Sequence, residues 1–329
     1  MPQPERRRLR KWISTMNRRL ILSLFIIAVA RGPVSKAQDK FPASVPGRVS
    51  NRVLLVVAHP DDESEMAGTI YRITNELSGV VDQVIISDGE GGFRYSSLAG
   101  RYYGADLASE PVGRALLPRI RRDEARRAAR ILGIQRQWFL NERDDHFTLN
   151  VEEVFQKSWR TDRVEQWLVQ KLRKGRYDLV FVLLPTEDTH GQHKAASIIA
   201  LKAVQQIPED RRPAIVGVQA SPKETASYKA LPGYPITATI SATPEFHFDR
   251  EVHFGFHNSL SYQIVVDWVI AEHKSQGLFQ TTYGQNRFEN FWVFSIGGIS
   301  SNKKASTFIE EIAARTQPGE PAGSVLTAK

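Results

Sequence analysis

Leu54–Val57, "LLVV", runs without a break into "AHPDDESE", Ala58–Glu65. The longer run "RVLLVVA", Arg52–Ala58, suits a strand buried on both faces, as in a parallel sheet covered by helices. A histidine, a proline and three acids then follow within five positions. Charge that dense at the end of a buried strand costs free energy unless something stabilises it. A capped turn is the plain alternative, with a carboxylate opening a helix near Met66. Glu63 or Ser64 could do that alone, and capping needs no histidine beside it.

Outward from this stretch, strand-like and helix-like segments alternate, as a mostly parallel sheet with flanking helices requires. Met66–Leu77 reads as a helix and Val81–Ser87 as a strand. Pro118–Leu132 reads as a basic amphipathic helix stopped at Gly133, and "QWFL" as a short strand. Asp162–Lys174, Lys194–Gln206 and Asn258–Lys274 read as helices. "YDLVFVLLP" (Tyr177–Pro185), "AIVGVQA" and "NFWVFSI" read as strands. The expected fold is a Rossmann-like three-layer α/β/α sandwich. Gly89–Gly113 and Pro222–Phe256 look irregular, and loops of that length are expected to form functional walls or lids.

The formal charge of +8 over 329 residues invites a polyanion partner until it is located. Nine basic residues and one acid lie between Met1 and Ala37, which accounts for the whole excess. The balanced remainder gives no reason to expect nucleic acid. Residues 1–37 read as an export signal, with arginines before the apolar "LILSLFIIAVA" and small residues near Ala37. An uncleaved N-terminal anchor is the alternative, and Met16 is a possible start. Membrane contact is expected only through this segment and only if it stays uncleaved, and the location is expected to be periplasmic or extracellular. Residues 38–300 form the expected catalytic domain, and 301–329 a C-terminal helix and flexible tail. No cysteine occurs, which excludes disulfides and thiolate chemistry.

Ligands of open α/β sheets sit outside the carboxyl ends of the strands. "HPDDE" lies at such an end, and so does "LLPTEDTHGQH", which carries His190 and His193 where a helix begins. His59 and Asp62, three apart, can reach one ion from a turn. His193 can supply a third ligand from across the crevice. Two histidines and a carboxylate with one open position suit catalytic zinc, although Fe2+ or Co2+ fits the same donors. Asp61, beside a ligand, is then free to take a proton from bound water.

These motifs resemble the zinc-dependent de-N-acetylases of the PIG-L or LmbE-like family. The likeness rests on "AHPDDE", the downstream His-x-x-His, "IRRDEARRAARILGI" with its Arg-x-x-Glu, and "AEHKSQ" (Ala271–Gln276). It implies His59, Asp62 and His193 as zinc ligands and Asp61 as general base. It implies that His190 stabilises the tetrahedral intermediate or helps protonate the departing amine. The family reads His-Pro-Asp-His where this chain has His190-Gly191-Gln192-His193, so Gln192 supplies no carboxylate. The implied reaction is hydrolysis of an N-acetyl group on an N-acetylglucosamine-type sugar or glycoconjugate.

Arg121 could pair with Glu124 along its helix or, as the resemblance implies, reach the substrate. Asp144, at the end of "QWFL", is placed to bind sugar hydroxyls, although a solvated turn explains it too. His247, Asp249, Glu251 and His253 alternate like the polar face of an edge strand. His273 is expected to be structural. "SDGEGGF" (Ser87–Phe93) lacks the order of a nucleotide loop and reads as a crevice wall. Two rival functions are a zinc amidase acting on another amide and a carbohydrate-binding pseudoenzyme.

Overall fold

The structure, a computed structural model, describes residues 51–224, 226–277, 285–297 and 299–314. The leader over 1–37 and the tail "TQPGEPAGSVLTAK" lie outside the described residues. Among the described residues no helix is long and apolar enough to cross a membrane.

Seven strands form the central sheet: β1 Arg52–Val57, β2 Val80–Ser87, β3 Arg136–Glu142, β4 Leu179–Leu183, β5 Ala214–Ser221, β6 Phe246–Asp249 and β9 Phe288–Val293. The two-residue strands β7 (His253–Phe254) and β8 (Leu260–Ser261) pair separately. The sheet order is β3-β2-β1-β4-β5-β9-β6. The first five strands are parallel, whereas β9 runs antiparallel to both β5 and β6.

The apolar run of β1 is explained by burial on both sides. Val53, Leu55 and Val57 enter one core, while Leu54, Val56 and Ala58 enter the other. The first core is closed by α1 (Ala67–Asn75), α2 (Glu110–Leu132), α5 (Tyr262–Glu272) and α6 (Ile299–Ala314), through residues such as Ile70, Ala128, Val266 and Phe308. The second is closed by α3 (Thr161–Gly175) and α4 (Gly191–Gln205), through Leu168 and Ile198 among others. Helices on both faces of a mostly parallel sheet make the expected three-layer α/β/α sandwich.

The sequence expectation for α2 needs correction. The helix starts at Glu110, eight positions before Pro118, which lies inside it. The proline that marks the start is Pro111, in the first turn, where a missing N–H costs nothing. Much of Gly89–Gly113 is therefore ordered into short turns, Glu90–Tyr95 and Ala99–Tyr103, and the first turn of α2. Gly113 lets that turn approach the segment before it, because a Cβ there would stand 2.3 Å from Phe93 Cβ. Similarly, α5 begins at Tyr262 rather than Asn258. His257 and Asn258 both adopt φ of 53°, a left-handed conformation that a helix does not use.

Candidate metal centre

The strand order reverses between β1 and β4, so their carboxyl ends open a crevice between loops that leave in opposite directions. The loop after β1 carries His59, Asp61 and Asp62. The loop after β4 leads into α4, where His190 stands at the N-cap and His193 in the first turn.

Asp62 is almost wholly buried and divides its oxygens between two tasks. Its Oδ2 accepts the backbone N–H groups of Ala58 and His59, both at 2.9 Å, which ties the turn to the strand end. Its Oδ1 lies 3.2 Å from His193 Nε2 and 3.7 Å from His59 Nδ1. His59 Nδ1 and His193 Nε2 are 3.0 Å apart. Ligand atoms about 2.0–2.2 Å from a tetrahedral zinc stand about 3.3–3.6 Å from one another, and the three observed edges bracket that spacing. Among the described residues this is the one group of three or more such side chains with all its ligand atoms within 4.8 Å of one another. The donors therefore fit a divalent ion.

The far nitrogens of both imidazoles are also engaged. His59 Nε2 lies 3.0 Å from Gln192 Oε1, and His193 Nδ1 lies 3.1 Å from Thr189 Oγ1. Burial pushes the His59 imidazole down, but the carboxylates of Asp144 and Asp62 more than offset this and hold it at about 9. Burial also works against the charge on Asp62, yet His193 and His59 keep its carboxyl well below the usual range. For His190, burial followed by repulsion from His59 and His193 pushes the imidazole down to about 2. Its Nδ1 accepts the backbone N–H of Gln192 at 2.9 Å.

Asp61 adjoins Asp62 in the chain, with Oδ1 3.0 Å from Arg121 Nη2. Burial raises its carboxyl above the ordinary value, partly opposed by the Arg121 guanidinium. Arg121 is 3% exposed and donates to the carbonyls of Gly89 and Pro60 at 3.0 and 3.3 Å. It does not pair with Glu124, which instead accepts Ser275 N–H, Ser275 Oγ and Tyr103 Oη. Asp144 lies 3.7 Å from Arg121 and 3.8 Å from His59.

These side chains line a cavity of about 300 Å³ whose other walls are Gly91–Tyr95, Asp145–Phe147, Asp188–Thr189 and Gln276. Every residue singled out from the sequence as ligand, catalyst or substrate contact lies on this wall. "SDGEGGF" contributes to it as expected. The described residues of Pro222–Phe256 do not, so the reading of that segment as a wall is replaced by another role. Its Arg250 donates to Ser64 O at 2.8 Å and to Glu289 Oε1 at 3.0 Å. Glu289 in turn accepts the N–H groups of Gly68 and Thr69 at the start of α1.

His247 pairs with Glu224, and with His253 it stays apart from the metal group. His273 is buried against Glu63 at 2.7 Å. Sequence reading missed the parts of Gln192, Arg250 and Glu289. Only the departure from the family pattern at Gln192 offered a signal.

Residues 54–204 match the family described as PIG-L, GlcNAc-PI de-N-acetylase. Over 248 residues the chain is 25% identical to a probable N-acetyl-alpha-D-glucosaminyl L-malate deacetylase 2 of Bacillus cereus, covering 75% of this chain and 99% of the relative. Among solved structures, an N,N'-diacetylchitobiose deacetylase from Pyrococcus horikoshii aligns with a TM-score of 0.47 at 22% identity, over 75% of this chain and 85% of that one. GalB, a 4-carboxy-2-hydroxymuconate hydratase from Pseudomonas putida KT2440, aligns with a TM-score of 0.49 at 16% identity, over 74% and 95%. At that level neither structural likeness bears on what this chain does.

Proposed function

We propose that this chain, a member of the PIG-L family through residues 54–204, removes an N-acetyl group from an N-acetylglucosamine-type sugar or glycoconjugate. One observation carries the reading: His59 Nδ1, Asp62 Oδ1 and His193 Nε2 converge beside the Asp61 carboxyl on the wall of one cavity. The name of the Bacillus cereus relative supports an acetylated amino sugar as the substrate.

A divalent ion held by those three residues, zinc in our reading, would lower the pKa of a bound water towards about 7 and polarise the amide carbonyl. Asp61 takes the proton of the attacking water. Arg121 holds one of its oxygens, Oδ1, at 3.0 Å, and the carboxyl lines the cavity. Because burial raises its proton affinity, Asp61 can hold that proton and return it to the departing amine. His190 Nδ1 is occupied by a backbone N–H, so its neutral imidazole carries hydrogen on Nε2. It then acts as a hydrogen-bond donor to the developing oxyanion. Arg121 is already committed to Asp61, so the substrate contact we assign to it runs through Asp61. Asp144 is the group proposed to receive sugar hydroxyls. Acetate and a free amine leave.

The test is acetate release from a panel of acetamido sugars beside non-sugar amides. Release from the sugars, lost in Asp61→Asn, is expected. Cleavage confined to the non-sugar amides would replace this reading with that of a general amidase. If residues 1–37 export the chain, the substrate is a periplasmic or extracellular glycan. Fractionation of cells expressing the chain without that segment checks this, and an unchanged location would count against it.

A further inference from the structure

We propose that Gln192 is a positioning residue that holds His59 in the orientation and tautomer needed to bind the metal ion. The inference rests on the metal reading above and adds to it the residue that makes His59 a ligand. His59 Nδ1 is the nitrogen facing Asp62 and His193, so binding an ion there requires a lone pair on Nδ1 and hydrogen on Nε2. That Nε2–H needs an acceptor inside the protein, because His59 is 8% exposed.

Two acceptors are near it. Asp144 Oδ1 stands at 3.8 Å, beyond hydrogen-bond reach, whereas Gln192 Oε1 stands at 3.0 Å. Gln192 is fully buried, and its amide nitrogen lies 3.5 Å from the carbonyl of Arg143. Both contacts require the same amide orientation, with oxygen towards the imidazole and nitrogen towards the carbonyl. The backbone N–H of the same residue fixes His190, so Gln192 sets the hydrogen positions of two imidazoles. Unlike a carboxylate, the amide does so without adding negative charge beside the ion.

Outer partners of metal-bound histidines change affinity by about 10- to 100-fold when removed. Gln192→Asn shortens the side chain by one methylene and withdraws the acceptor while keeping a polar amide. Gln192→Glu keeps the reach and presents a carboxylate oxygen to the same N–H, while giving up the long amide contact to the Arg143 carbonyl. Zinc dissociation constants of wild type and both variants would be measured by competition with a chelator, beside melting of the zinc-free proteins. The expected result is binding at least about tenfold weaker in a Gln192→Asn that remains folded, with somewhat lower zinc-free melting because a buried amide is shortened, and binding by Gln192→Glu at least as tight as wild type. Wild-type affinity in Gln192→Asn would overturn the proposal. Should Gln192→Asn fail to fold, Gln192→Glu decides, since weaker binding by that variant also overturns it. Wild type that bound no zinc would remove the metal reading itself, an outcome distinct from equal affinities in all three chains.

Discussion

Asp62 and Asp61 are neighbours with opposite electrostatic settings, and the difference supports the separate roles proposed for them. Two backbone N–H groups and two imidazoles surround Asp62, so it stays ionised. Asp61 is buried with a single guanidinium at hand, and its carboxyl is shifted upward. Asp61→Asn is therefore expected to lower kcat by about 10²- to 10⁴-fold, the usual range for a lost general base. Metal content should stay at the wild-type level, as judged by elemental analysis. Asp62→Asn should instead lose the ion, because an amide is a poorer ligand for a divalent cation and its N–H would face the imidazoles. The spacing of His59 and Asp62 after an apolar strand makes these residues legible in the sequence. Gln192 is not, because an amide that accepts one hydrogen bond carries no spacing signal of its own. Arg121 is legible only as a choice between two partners, and its actual partner, Asp61, lies far away in the chain and is neither of them.

Individual elements show how the ligand-bearing turn is held. The short helical turn Asp62–Met66 runs into α1, whose first N–H groups are taken up by Glu289 of β9 rather than by a local cap. Arg250, just beyond β6, pairs with Glu289 and grips the Ser64 carbonyl. Both side chains are fully buried. Removing one member of a buried pair leaves an uncompensated charge, so Glu289→Ala is expected to destabilise the fold by about 3–5 kcal/mol. Urea unfolding checks this, and a loss under about 1 kcal/mol would deny the clamp its weight. The parallel strands are readable from their apolar runs, since burial on both faces leaves that pattern in the sequence. The antiparallel course of β9 is not, because strand direction depends on connections that local pattern does not encode. Pro118 misleads for a related reason. A proline in a helix interior loses one hydrogen bond, and the rest of α2 absorbs that cost when both flanks pack well.

At the scale of the whole molecule, sheet topology places the chemistry. Because β4 returns beside β1 after the chain has built outward to β3, two ligand loops open at one switch point. That convergence follows from reading "HPDDE" and "LLPTEDTHGQH" as strand-end loops of one sheet, although no local pattern gives their separation. An ion bound by the folded chain and not by the unfolded one adds stability in proportion to the logarithm of its concentration over Kd. Zinc at a thousandfold excess over Kd should thus add about 4 kcal/mol, read as a higher melting temperature than that of the chelated protein. Chelation should also abolish acetate release, and zinc should restore it. The most direct measurement is anomalous diffraction at the zinc edge from crystals of the zinc-loaded protein. The account predicts one strong peak about 2 Å from His59 Nδ1, Asp62 Oδ1 and His193 Nε2. A peak bound by other residues, or none at this crevice, would contradict it.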